Sequence, residues 1–340
     1  MKKIILIIAL FFMFTIKVNS SYVVFDQDSE TVIYGENIHE KRLIASISKV
    51  MTAYVVIKNA NLSDLVTVGD EIDSAHGSSI YLKKGEKLRV IDLLYGMMLR
   101  SGNDAAIVLA NYTSGSIDAF VSLMNDEVIK MGLNDTIFQN PTGLDDDGTK
   151  NISSSYDMAY ITSKAMKNKI FRKIFSTTKY TVKTNLNYHV WYNKNKALFM
   201  NKNITGGKTG YTKKAKRTLI TTSSKNNMNL VVVTLGVSDD FNFHINSHNN
   251  VFKNYDRFLV LNKNNLNIDN RYYKNAIFYL KNNYHLILKK QDLKNVSIVY
   301  EINRIKNIKN NSIVGKVNVS INNKIIYDSP IYIKYNKGIY

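Results

Sequence analysis

Two short β-type runs, residues 21–25 and 31–34, flank a polar stretch at 26–30, and this pattern predicts a β-hairpin. Residues 45–60 then place Ile47, Val50, Met51, Tyr54, Val55 and Ile57 at helical spacing, which predicts one long helix. Three more helices are predicted at 92–99, 104–112 and 118–131, with Asp104 and Asp118 as N-caps or first-turn acids. The unbroken apolar run 230–235, with three consecutive valines, has the pattern of a strand covered on both faces. From residue 262 helical periodicity disappears. Alternating runs at 284–288, 296–302, 313–319 and 325–327 are separated by Asn- and Lys-rich turns, which predicts a separate all-β unit. Residues 329–335 read as an edge strand that Pro330 opens where no ladder donor is needed.

Residues 1–20 stand apart. Lys2 and Lys3 precede an apolar segment at 4–16, and Val18-Asn19-Ser20 has the spacing a signal peptidase reads. The segment is shorter than the roughly 20 residues of a membrane span. A secretory signal peptide is therefore expected, with an uncleaved anchor as the alternative because the box is Val-x-Ser rather than Ala-x-Ala. Domains are expected at 21–261 and 262–340, in an extracytoplasmic protein held to the envelope at most peripherally. The tail ahead of Tyr340 offers no amphipathic helix, so adhesion through charge is the expected mode.

Across 340 residues, 46 Lys+Arg against 27 Asp+Glu give a formal charge of +19. That excess suits an anionic partner, and it equally suits a biased codon composition in a chain rich in Lys, Asn, Ile and Tyr. No basic cluster interleaved with stacking aromatics points to nucleic acid, and no glycine-rich phosphate loop points to a nucleotide. Zero cysteines exclude disulfides, thiolate metal sites and a cysteine nucleophile.

Chemistry gathers in three short motifs. Ser46-Ile47-Ser48-Lys49 puts a hydroxyl and an amine three residues apart on one helical face, near backbone N–H groups that can hold an oxyanion. Taken alone, the motif is equally an N-capping serine followed by an exposed lysine. Ser101-Gly102-Asn103 falls between two helices, and Lys208-Thr209-Gly210 precedes Tyr211 and a predicted strand. Their order and separation match serine enzymes whose proton-handling and carboxylate-binding groups meet from distant segments. Six histidines are scattered. Only His244 and His248 have the spacing of a zinc helix, but Ile245 stands where the catalytic glutamate would be, so both read as polar surface residues and no metal is expected.

These motifs, with residues 43–52, 77–86, 92–106, Asn140-Pro141-Thr142-Gly143-Leu144 and Asp157-Met158-Ala159, resemble the D-alanyl-D-alanine carboxypeptidases, the S11-type low-molecular-mass penicillin-binding proteins. The resemblance covers residues 21–260, and the later β-unit is similar to that family's C-terminal domain. It implies an α+β fold: a serine β-lactamase/transpeptidase-like domain, with an antiparallel sheet flanked by helices, followed by a small all-β domain. It implies a hydrolase without a cofactor that removes the terminal D-alanine from peptidoglycan stem pentapeptides and is covalently inhibited by β-lactams. By position, Ser46 would be the nucleophile, Lys49 its base and Ser101 a proton relay. Asn103 would hold Lys49 and the substrate amide, Lys208 and Thr209 of the Lys208-Thr209-Gly210 triplet would bind the carboxylate, and the N–H groups of Ser46 and Tyr211 would form the oxyanion hole.

Several positions depart from the family pattern. Ser48 replaces the usual Thr, Gly207 replaces Ile or Val, and Asn151 stands where His is common. No arginine follows residues 230–235 at the place where relatives anchor the carboxylate, which leaves His244, Arg217 or Lys213 as substitutes. A serine β-lactamase on the same fold would need a Glu-x-x-Leu-Asn segment between Ser101 and Lys208, which is absent. A catalytically impaired peptidoglycan-binding protein is the remaining alternative.

Overall fold

The computed structural model of the chain describes residues 20–145, 148–269 and 272–335. The signal-peptide expectation at 1–20 therefore lies, apart from Ser20, outside the described residues. The expected hairpin forms from β1 (Ser21–Asp26) and β2 (Thr31–Glu36). Far along the chain, β3 (Ile204–Thr212), β4 (Lys216–Lys225) and β5 (Met228–Leu235) complete an antiparallel sheet in the order β2-β1-β5-β4-β3. Val23, Val24 and Phe25 on β1 and Val231, Val232 and Val233 on β5 are fully buried, as adjacent strands covered on both faces require.

Each face of the sheet has its own cover. Helices α1 (Lys49–Asn59), α2 (Val90–Arg100), α3 (Asn103–Ser114), α4 (Ile117–Lys130) and α5 (Ser155–Met166) share the main core with Val23, Phe25, Val231 and Val233. On the other face, Val251 and Phe252 of α6 (Asp240–Asn254) pack with Val24, Leu230 and Val232.

The single helix expected at 45–60 is divided. Ala45–Ser48 is a 3-10 turn, and the α-helix begins only at Lys49. Ala45 has φ +48°, a left-handed conformation no regular helix includes, and the Ser48 hydroxyl donates back to the Ala45 carbonyl at 2.8 Å.

The C-terminal unit is all β. β6 (Asp256–Leu261), which sequence pattern leaves with the first domain, pairs with β8 (Tyr284–Leu288). β7 (Ala276–Tyr279), β9 (Val296–Ile302), β10 (Ile313–Ile321) and β11 (Lys324–Tyr335) form a sheet in the order β7-β11-β10-β9. The expected edge strand at 329–335 is instead part of β11, an interior strand that also takes in residues 325–327. Pro330 is tolerated because it faces Lys316 of β10 while β7 begins to pair only at Tyr332. Ile287 of β8 is buried with the α6-side cluster and ties this unit to the large sheet.

Candidate active site

Ser46 lies in the 3-10 turn at the foot of α1, where two close approaches fix its backbone. A Cβ on Gly210 would come within 2.9 Å of the Ser46 nitrogen, and a Cβ on Gly143 within 2.1 Å of the Ala45 carbonyl oxygen. Gly143 also has φ +86°. Neither position admits a side chain without moving the nucleophile segment.

The Lys49 amine is fully buried below this turn and donates to Ser46 Oγ at 3.3 Å, to Asn103 Oδ1 at 2.7 Å and to the Thr142 carbonyl. Ser101 terminates α2 in a left-handed conformation at φ +66°, which allows Gly102 and Asn103 to start α3 at once. Asn103 donates through Nδ2 to the His76 carbonyl at 2.6 Å, so its amide oxygen is free to face Lys49. Lys208 donates to Ser101 Oγ at 2.9 Å and to the Thr209 carbonyl at 2.6 Å. Ser46, Lys49 and Asn103 thus form one hydrogen-bonded group and Ser101 with Lys208 a second, with Gly210 against the Ser46 backbone.

The Lys208-Thr209-Gly210 triplet lies within β3 rather than ahead of a strand. Glycines at 206, 207 and 210 hide its β character, and antiparallel pairing with β4 supplies the order. Gly207 serves a steric purpose: a Cβ there would sit 2.2 Å from Nδ2 of the buried Asn195 and 2.5 Å from the Ile220 carbonyl. Asn151 braces the 140–144 loop, accepting from Gln139 N at 2.7 Å and Asn140 N at 3.1 Å and donating to the Asn140 carbonyl at 2.9 Å.

Burial holds the Lys49 amine far below the usual lysine range, and the nearby Lys208 charge lowers it further; Asp104 opposes the shift and Lys194 adds to it. Burial first, then Lys194, brings Lys208 down to about 7. Asp104 accepts Ser79 Oγ and the backbone N–H groups of Ile80, Leu82 and Ala105, so its charge is spent on holding the wall formed by residues 79–82. A buried amine held well below the usual lysine pKa and within reach of a serine hydroxyl can accept that hydroxyl's proton.

Both groups reach a cavity of about 440 Å³, one through Ser46 and the other through Ser101. Ser46, Ser101, Thr209, Gly210 and Tyr211 line it beside Ser78, Lys194, Lys196, Arg217, Asp240 and Phe241. Tyr211 stands exposed at the rim, 65% accessible. Sequence pattern missed Ser78, Lys194, Lys196, Asp240, Phe241 and the Thr142 carbonyl. The two lysines sit among Asn and Lys residues that give no local signal, and a carbonyl gives none at all.

Of the three substitutes for the missing arginine, only Arg217 is among the cavity's lining residues. His244 and His248 are fully buried, contrary to the surface reading. His244 bonds Thr221 and Thr234 at 2.7 and 2.9 Å, and His248 bonds Thr221 and Ser223 at 2.7 Å each, so all four ring nitrogens are engaged by hydroxyls.

The family model described as D-alanyl-D-alanine carboxypeptidase matches residues 15–239, and that of the penicillin-binding protein 5 C-terminal domain matches residues 255–336. The chain is 34% identical over 224 residues to the D-alanyl-D-alanine carboxypeptidase DacF of Bacillus subtilis, covering 64% of this chain and 57% of that protein. It is 34% identical over 232 residues to DacA of Escherichia coli, covering 64% and 55%. The match thus spans little more than half the length of these relatives. The structure of penicillin binding protein 5 from Haemophilus influenzae superposes with a TM-score of 0.77 at 27% identity, covering 93% of this chain and 96% of that one.

Proposed function

From the premise that the chain belongs to the D-alanyl-D-alanine carboxypeptidase family, we propose that it hydrolyses the terminal D-alanyl-D-alanine bond of peptidoglycan stem pentapeptides through an acyl-enzyme on Ser46. One observation carries this reading. A fully buried Lys49 amine, held well below its ordinary pKa, stands 3.3 Å from Ser46 Oγ on the floor of an open cavity.

Lys49 takes the Ser46 proton as Oγ attacks the penultimate carbonyl. The resulting oxyanion is met by the Ser46 and Tyr211 N–H groups. Ser101, bonded to Lys208, passes a proton to the departing nitrogen, and the C–N bond breaks to release D-alanine. Ser101 is refilled by the proton that Lys49 took, which leaves Lys49 neutral. Water then attacks the ester, and Lys49 takes the water's proton and returns it to Ser46 Oγ as the acid departs. Asn103 fixes Lys49 and meets the substrate amide, while Lys208 and Thr209 face the terminal carboxylate. In the same reading residues 1–20 direct export, domains at 21–261 and 262–340 work in the envelope, and β-lactams acylate Ser46.

The test uses the purified chain without residues 1–20, incubated with penicillin and with a peptide ending in D-Ala-D-Ala. Mass spectrometry is expected to show one adduct, on the peptide carrying Ser46 and absent from Ser46→Ala, together with D-alanine release. An adduct elsewhere, or neither adduct nor release, overturns the proposal.

A further inference from the structure

We propose that Arg217, oriented by Asp240, is the specificity-determining cation that recognises a free terminal carboxylate on the ligand of Ser46; this rests on the carboxypeptidase reading. Arg217 reaches the cavity from β4, directly opposite Tyr211 in register, and its neighbour Thr218 pairs with Gly210. It therefore stands at the Thr209-Gly210 end. Lys194 stands on another wall, 3.4 Å from Ser78 Oγ.

The guanidinium is held on one side only. Nη2 donates to Asp240 Oδ1 at 2.6 Å, and the group lies 5.5 Å from the Phe241 ring centre. Nε is buried and has no partner. Asp240 is itself buried at the head of α6, and its Oδ1 also accepts the Phe241 N–H at 2.8 Å. One arm of the planar fork is thus pinned on a half-exposed side chain that lines the cavity, a pre-organised arrangement that suits a planar carboxylate better than a lysine ammonium would. Lys208 supplies charge at the same end, but with a pKa of about 7 it is only partly protonated at neutral pH, whereas an arginine keeps its charge.

The experiment compares a short acylated peptide ending in D-Ala-D-Ala with its C-terminal carboxamide, reading kcat and KM for wild type, Arg217→Ala, Arg217→Lys and Asp240→Ala. Wild type is expected to prefer the free acid. In Arg217→Ala, KM for the acid rises about tenfold or more with kcat nearly unchanged, kcat/KM for the carboxamide stays constant, and the preference collapses. Arg217→Lys recovers part of the preference, because charge remains while the fork is lost. Asp240→Ala raises KM for the acid by a smaller factor at constant kcat, the split expected of a positioning residue. If wild type is active and both Arg217 variants keep its KM and its acid-over-amide preference, the inference falls and the carboxypeptidase reading stands. If wild type neither releases D-alanine nor acylates Ser46, both fall together. Should Arg217→Ala melt well below wild type, Arg217→Lys decides by the same split.

Discussion

Two pairs of buried bases occupy the first domain, Lys49 with Lys208 below the cavity and His244 with His248 on the sheet-facing side of α6. Burial is the leading cause of the depressed pKa in all four, and a like neighbour adds to it for Lys49, Lys208 and His244. What surrounds them differs. Each lysine touches a serine hydroxyl that lines the cavity, Ser46 or Ser101. The histidines exchange hydrogen bonds only with Thr221, Ser223 and Thr234, all buried and none at the cavity. Desolvation alone therefore does not mark a catalytic base. A depressed pKa becomes chemistry where the neutral base meets a hydroxyl that a ligand can also reach.

The sharpest way to break this contrast is Lys49→Arg, which keeps the cation but cannot deprotonate. It should slow Ser46 acylation by at least about a thousandfold with the fold retained. A penicillin time course checks this, and a rate near wild type would remove Lys49 as the base. In wild type, kcat/KM should rise as pH rises through the Lys49 titration. For carboxylate ligands it should fall again as Lys208 loses its proton near 7, the two limbs belonging to the coupled pair.

The histidines should affect stability instead. Unfolded imidazoles titrate near 6.5, whereas His248 in the fold is held at about 3 and His244 is also far below the usual value. Below about pH 6 the unfolded chain binds two more protons at these sites, so stability falls as pH falls, by about 3 kcal/mol per unit. Asp26 acts in the opposite direction. Burial raises it to about 6, so between pH 6 and 4 the folded state holds one extra proton there and offsets about half of that slope. Urea unfolding at pH 7.5 and 5.0 measures the remainder. His244→Gln with His248→Gln should remove the loss at pH 5.0, and an unchanged loss would place the acid sensitivity elsewhere.

A smaller effect is expected from Asn151→Ala. It strips partners from Gln139 N, Asn140 N and the Asn140 carbonyl, and should destabilise the fold by about 1–3 kcal/mol. Because the loop it braces carries the Thr142 carbonyl that receives Lys49, acylation should slow too, by far less than in Lys49→Arg. Thermal melts and the same time course report both.

The hairpin, the helices α2 to α4 and the buried strand β5 were legible because period and end signals are local. The Ser46, Ser101 and Lys208 motifs were legible through their order along the chain. The strand holding Lys208 was hidden because its glycines serve close packing against Asn195, Ser46 and Ile220. The histidines were misplaced because spacing on a helix does not say which face meets the sheet. β11 read as two pieces because Pro330 interrupts a pattern that pairing with β10 carries through. Asp240 gave no hint of its partner, since Arg217 lies on another element.

The glycines at 143 and 210 also constrain how this protein can vary. Any side chain at either meets the backbone of Ala45 or Ser46 within 3 Å, so change at these two walls displaces the nucleophile segment before it can alter selectivity. Lys194, Lys196 and Phe241 line the cavity through side chains, without that constraint. Inherited differences in ligand preference among close descendants of this sequence should accumulate at those three positions, while 143 and 210 stay glycine.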